Sequence, residues 1–207
     1  VMNPDSETLE DAFKDFINKY GYVKHNRLLF FYSGHGYTRS EGKKGYLVPV
    51  DAPDPNDDDM GFVQKAMNMS QILTWARRIE AKHALFLFDS CFSGTIFKTK
   101  SKAIPKHISH ITSRPVRQFI SAGSAGEEVP AKSVFVSSFI RGLEGEADID
   151  KDGYITGTEM GSYLYKKVLY YDTGQTPQYG KIKDPDLDEG DFVFALGRDV
   201  YEQPSKP

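Results

Sequence analysis

The apolar positions of this 207-residue chain follow two different periods. Over residues 6–20 they recur every three or four positions. Leu9, Phe13, Phe16 and Ile17 share one face behind Asp5 or Ser6 as the cap, which predicts an amphipathic helix. A second helix, capped by Ser70, turns Ile72, Leu73, Ala76 and Ile79 inward, and residues 134–143 and 158–171 read as helices too. Between them lie apolar runs at 27–33, 83–89 and 116–121, with shorter extended segments at Tyr46–Val50 and at Phe192–Leu196, the latter expected to close the core. A short apolar run bounded by small residues reads as a strand buried on both faces, as parallel sheets require. Strands alternating with helices predict an α/β sandwich: a mostly parallel sheet flanked by helices. Residues 51–61 (Pro53, Pro55 and four aspartates from Asp54 to Asp59) are expected to form an exposed loop, and the basic stretch 98–115 a mobile one.

Two of the apolar runs end alike. Leu-Leu-Phe-Phe-Tyr-Ser-Gly-His-Gly at 28–36 and Leu-Phe-Leu-Phe-Asp-Ser-Cys-Phe-Ser-Gly at 85–94 both break into small residues around one reactive side chain, His35 and Cys91. Cys91 is the only cysteine and stands 56 positions after His35. Neighbouring parallel strands would deliver both to one carboxyl edge, where open α/β sheets hold their sites. A histidine beside a lone thiol is the equipment of a base-activated nucleophile.

Composition narrows the classes. Hydrophobic residues at 39% and aromatics at 13% suit a folded globule with a sizeable core. A net charge of -3 and a pI near 6.0 give no drive toward nucleic acid or membrane. No apolar run approaches the roughly 18 residues of a spanning helix, and no signal peptide opens the chain. A single cysteine excludes internal disulfides and fits a reducing compartment, so the expected location is cytoplasmic. Lys98, Lys100, Lys102, Lys106 and Arg114 lack interleaved aromatics, which favours self-processing or solubility over nucleic-acid binding. His25, His83, His107 and His110 have no partners at metal-ligand spacing and read as surface or loop residues.

Ser33-Gly34-His35-Gly36 followed by Asp89-Ser90-Cys91-Phe92-Ser93-Gly94 resembles the catalytic pair of the caspase-like cysteine peptidases. It is closer to the metacaspase and bacterial orthocaspase branch than to animal caspases, whose Gln-Ala-Cys-x-Gly is absent. The resemblance implies a caspase-hemoglobinase-like fold over residues 1–197, with 198–207 as a tail. Such folds open with a strand, a helix and a second strand before the segment matching 6–33. The first strands are therefore expected to be absent from this chain, either omitted or held as a separate N-terminal fragment. The resemblance makes Cys91 the nucleophile and His35 the group that takes or positions its proton and then protonates the leaving amine. It places the oxyanion hole at the N–H groups of Gly36 and Cys91. Gly34, Gly36 and Gly94 let the backbone approach a substrate closely.

Strand alternation puts Asp89 on the same side as Cys91, facing the substrate floor. In metacaspase-like enzymes the matching aspartate selects Arg or Lys at P1, and a carboxylate pairs well with a guanidinium. Ser121, at the end of the third strand, is a further pocket candidate, and Glu127 and Glu128 lie just beyond it. The implied substrates are proteins or peptides with Arg or Lys at P1. Two alternatives stand beside this reading. One is a catalytically silent, calcium-binding signalling scaffold, which intact His35 and Cys91 argue against. The other is a protease with acidic P1 preference, which Asp89 argues against.

Asp148-Ile-Asp150-Lys-Asp152-Gly153-Tyr-Ile-Thr-Gly-Thr-Glu159 fits the EF-hand loop D-x-D-x-D-G-x5-E at every position. Asp148, Asp150 and Asp152 would supply oxygens, Tyr154 its carbonyl, Thr156 position nine, and Glu159 a bidentate closure around Ca2+. The bland alternative is a solvated acidic turn. Only one such loop is present, whereas EF-hands usually work in pairs, and a partner loop could lie outside this chain. Asp57, Asp58 and Asp59 evoke a different calcium site of metacaspases, but Lys98 stands where that site needs an acid, so they read as a solvated loop.

Overall fold

The computed structural model describes residues 1–40, 44–91, 97–98, 108–124, 127, 134–171 and 174–197; of Cys91, Phe97 and Lys98 it describes the main chain alone. The predicted first helix is α1 (Ser6–Phe16), capped by Asp5, whose Oδ1 accepts from the Thr8 N–H at 2.8 Å. It runs on through a π-type turn, Ile17–Gly21, so Leu9, Phe13 and Ile17 lie buried on one face.

The central sheet has five strands in the order β1-β5-β7-β9-β6: β1 (Arg27–Ser33), β5 (His83–Cys91), β7 (Val116–Gly123), β9 (Gln178–Ile182) and β6 (Phe97–Lys98). The first three are parallel and are the three apolar runs; β9 and β6 pair antiparallel beyond them. Alternation along the strands sorts the core into two layers. Leu28, Phe30, Phe86, Phe88 and Phe119 face α1 and α3 (Met69–Arg78). Leu85, Leu87, Ile120 and Ala122 face α5 (Val134–Arg141) and α6 (Gly157–Tyr171). Phe30, Phe86 and Phe119 stack across the three strands, with centroids 4.4 and 4.8 Å apart. Arg117 is buried among carbonyls, donating to Ala76, Ile79, Lys82 and Val116.

Several expectations need correction. The extended segment at Tyr46–Val50 is β3 (Lys44–Leu47), which ends before Pro49. It sits in a separate sheet with β2 (Gly36–Arg39) and β4 (Met67–Asn68). The 51–61 loop gives way to α2 (Asp59–Lys65), because Asp58 caps it through the Gly61 N–H at 2.8 Å. Asn68, not Ser70, caps α3, accepting from the Ser70 N–H. Within the basic stretch, residues 108–113 form α4, while 99–107 lie outside the described residues. The last strand, β10 (Val193–Ala195), closes the second core layer as expected, with Phe192, Phe194 and Leu196 packed into it, but lies outside the central sheet. It pairs antiparallel with β8 (Tyr154–Thr156), while β9 continues the sheet. The expected tail, 198–207, lies outside the described residues.

Candidate active site

Parallel pairing sets the geometry. β1 and β5 run in register from Arg27↔His83 to Ser33↔Asp89, and two residues beyond that last pair stand His35 and Cys91. The turn that carries His35 is held from both neighbours. The Ser33 hydroxyl donates to Asp89 Oδ2 at 3.1 Å and the Gly34 N–H to the Asp89 carbonyl at 3.3 Å. On the other side the Val48 N–H donates to the His35 carbonyl at 3.0 Å. His35 itself is exposed.

The Val48–His35 bond also fixes the phase of the β2–β3 ladder. Gly36 and Leu47 face each other as a pair without mutual hydrogen bonds, so the Gly36 N–H points away from β3. The main chain of Cys91 ends β5 opposite Gly123 of β7. Its side chain and Gly94 lie outside the described residues.

Asp89 and Cys91 are not related by simple alternation. Phe88 pairs with Ser121 and Cys91 with Gly123, so two residues of β5 oppose one of β7. This bulge interrupts the period between 89 and 91, and simple alternation no longer relates the two side chains. Asp89 is buried, 7% exposed, on the same face as Leu85 and Leu87. Ser121 lies on the opposite face with Phe88 and Phe119, fully buried, its hydroxyl donating to the Gly123 carbonyl at 3.2 Å. The register therefore does not gather Asp89 and Ser121 on one face.

Glu127 is engaged elsewhere: its Oε2 accepts from the N–H groups of Ser124 and Thr176, each at 2.8 Å. Burial pushes its carboxyl up, but these bonds outweigh it and leave the pKa below the usual value. Glu127 thus staples the end of β7 to the segment entering β9. Glu128 lies outside the described residues.

Along the outer edge of β1 runs an apolar groove of about 720 Å³, lined by Phe13, Phe16, Leu29 and Phe31 and reaching His35. No strand pairs with that edge among the described residues. Tyr32 also lines the groove; in the sequence it is indistinguishable from the aromatics before it. Its hydroxyl lies 3.0 Å from the His35 carbonyl.

The acidic loop follows its motif closely. Carboxylate oxygens of Asp148, Asp150 and Asp152 lie within 4.8 Å of one another. Asp148 is buried and accepts from the N–H groups of Asp152 and Gly153. Gly153 takes φ +87°, the left-handed turn that the motif's glycine permits. Glu159, 2% exposed, accepts from the Thr156 N–H and hydroxyl at 2.9 Å and from the Ile149 N–H at 3.3 Å. Its own N–H donates to Thr156 Oγ1, so Thr156 and Glu159 also form the capping box of α6. Burial pushes the Glu159 and Asp152 carboxyls above their usual values.

Ile155 is fully buried and pairs with Phe194 of β10, and the Leu196 N–H donates to the Gly153 carbonyl at 3.0 Å. The edge of β8 is thus paired from within the chain, by β10. Asp191, buried, accepts from Thr158 at the start of α6 and from Gln118 of β7 at 2.6 Å, tying the loop's helix to the central sheet.

Of the other side chains, Asp58 caps α2 and Asp59 pairs with Arg39. His83 is buried rather than on the surface; its Nε2 contacts the Arg114 carbonyl at 3.1 Å, and burial lowers its pKa.

Among the described residues no helix is long and apolar enough to cross a membrane. A search of curated proteins returns no match. The family model described as the caspase domain matches residues 1–179, a span containing both strand ends and the three parallel strands between the two helical layers. The α/β sandwich is accordingly the caspase-hemoglobinase fold, and the chain belongs to the caspase-domain family of cysteine peptidases.

Proposed function

We propose that this chain is a cysteine endopeptidase of the metacaspase and orthocaspase type, cutting after Arg or Lys and responding to calcium. The observation that carries the reading is the β1–β5 register, which brings the turn of His35 and the end of β5 at Cys91 to one carboxyl edge. Cys91 gives its proton to His35 and attacks the scissile carbonyl carbon. The oxyanion takes hydrogen bonds from the Cys91 N–H and from the Gly36 N–H, whose direction away from the ladder supports the role. His35 returns the proton to the departing amine, and water then hydrolyses the thioester.

Asp89 supplies the charge for a cationic P1 side chain, and its burial favours a strong pair. Ser121, on the other face, is the weaker pocket candidate. Calcium is held by Asp148, Asp150, Asp152, the Tyr154 carbonyl, Thr156 and Glu159, an all-oxygen set that suits a hard cation. The lysines of the 98–107 stretch offer sites for self-processing. The free edge of β1, with Leu29 and Phe31 exposed, supports pairing with one further strand from a separate fragment. The lone thiol favours a reducing, cytoplasmic setting.

The test is hydrolysis of fluorogenic peptides ending in Arg, Lys or Asp, with calcium or chelator. Arg and Lys peptides should be cut, more rapidly with calcium. One equivalent of iodoacetamide, or Cys91→Ala, should abolish the activity. Turnover that survives in Cys91→Ala ends the proposal.

A further inference from the structure

We propose that Tyr32 is a positioning residue for His35, acting through the main chain of the turn that presents the imidazole. Tyr32 is the last residue of β1 on the face shared by Leu28 and Phe30, and it is partly buried. Its hydroxyl reaches forward past two residues to lie 3.0 Å from the His35 carbonyl and 3.2 Å from the Val48 carbonyl. The His35 carbonyl thus receives the Val48 N–H and shares with the Val48 carbonyl the single proton of the Tyr32 hydroxyl, which ties the two carbonyls to one ring. Asp89 grips the two preceding residues from the opposite side, through Ser33 Oγ and the Gly34 N–H. The imidazole is left exposed on a backbone held at both ends.

The ring matters as well as the hydroxyl. A Cβ at Gly34 would stand 2.8 Å from the Tyr32 oxygen and 3.0 Å from Cζ. The turn therefore closes over the tyrosine only because residue 34 has no side chain. Burial pushes the phenol pKa up to about 12, so the hydroxyl keeps its proton throughout the neutral range. A phenylalanine would fill the same space and donate nothing.

This inference rests on the proposed Cys91–His35 chemistry, so its test needs a readout apart from peptide turnover. The pH profile of Cys91 alkylation by iodoacetamide serves, compared in wild type, His35→Ala, Tyr32→Phe, Gly34→Ala and the Tyr32→Phe/Gly34→Ala double variant. Each is assayed well below its own melting temperature, alongside kcat and KM on an Arg peptide. Tyr32→Phe should lower kcat roughly tenfold at unchanged KM, the scale of one lost hydrogen bond. It should also move the alkylation profile toward that of His35→Ala. Gly34→Ala should do the same, and the double variant should be no worse than the poorer single one, because both act on one contact.

A Tyr32→Phe variant with kcat and alkylation profile within twofold of wild type overturns the proposal, even if its melting temperature falls. Losses that multiply in the double variant overturn it too. Identical profiles in wild type and His35→Ala remove the dyad and this proposal together. A wild type that shows the His35-dependent profile but cuts no peptide sinks the peptidase reading alone, and the alkylation comparison still decides Tyr32.

Discussion

Asp89 joins three parts of the site: it ends the paired stretch of β1 and β5, accepts the Ser33 hydroxyl, and in the proposed reaction meets the substrate cation. Asp89→Asn separates these tasks, because the amide oxygen can still accept from Ser33 while the charge is gone. A cationic P1 group would then be buried opposite a neutral partner, which costs on the order of 2–5 kcal/mol. The expected outcome is a fall of kcat/KM on Arg and Lys peptides by that amount, with Cys91 alkylation by small reagents preserved. Unchanged preference for basic P1 residues would place the pocket acid elsewhere. Glu127 is then a poor substitute, since both its hydrogen bonds go to backbone N–H groups of its own wall.

At the scale of elements, Arg117 links the end of α3, the turn before β5 and the start of β7 through four carbonyls. Burial lowers its pKa to about 10, still far above neutrality, so the guanidinium stays charged. Arg117→Leu would leave those carbonyls unsatisfied, at about 1–3 kcal/mol for each one that stays dry. Denaturant unfolding should therefore show a loss of at least about 3 kcal/mol; a loss below about 1 kcal/mol would mean water replaces the guanidinium.

Glu159 offers a cleaner separation. Glutamine keeps one oxygen for the capping box but turns its amide NH2 toward the Ile149 N–H that the second carboxylate oxygen now accepts, so Glu159→Gln should lower the melting temperature modestly without calcium. It should remove most of the calcium increment, RT ln(1 + [L]/Kd), about 2.7 kcal/mol at a hundredfold excess over Kd. Calorimetry that finds no binding to wild type at millimolar calcium would reduce the loop to an acidic turn.

What was legible in the sequence follows from the same physics. β1, β5, β7 and the helix faces were readable because burial on both faces, or on one stripe, demands an apolar period. The short strands β2, β4 and β6 leave no such trace. Gln-Tyr-Gly-Lys-Ile of β9 is equally silent, since its place depends on the edge that β7 offers. His35 and Cys91 stood out because each closes an apolar strand. The bulge after Phe88 and the reach of Tyr32 depend on register between strands, which no local pattern encodes.

For the molecule as a whole, Asp191 is the residue where loop, helix and sheet meet. Burial raises its carboxyl above the ordinary 3.8 despite help from Lys181, Thr158 and Gln118. A raised pKa means the folded chain holds that proton more tightly than the unfolded one. Its contribution is full below the ordinary value and is lost as pH rises through the folded one. Asp191→Asn stays neutral throughout, so the melting temperature of the variant relative to wild type should rise as pH climbs from about 4 toward neutrality. A difference that does not vary with pH would show that the carboxyl is not held against its charge.

The ribbon of β8 and β10 has a consequence for how the chain would count ions. The strand lying against the loop is Val-Phe-Ala, which offers main-chain hydrogen bonds and no side-chain oxygen. If the loop holds calcium as proposed, one chain would take one ion at this place, with no sister site among the described residues to sharpen the response. Occupancy should follow a Hill coefficient of one, climbing from a tenth to nine-tenths over roughly two decades of calcium concentration. The chain would read calcium as a graded dial, not as a trigger.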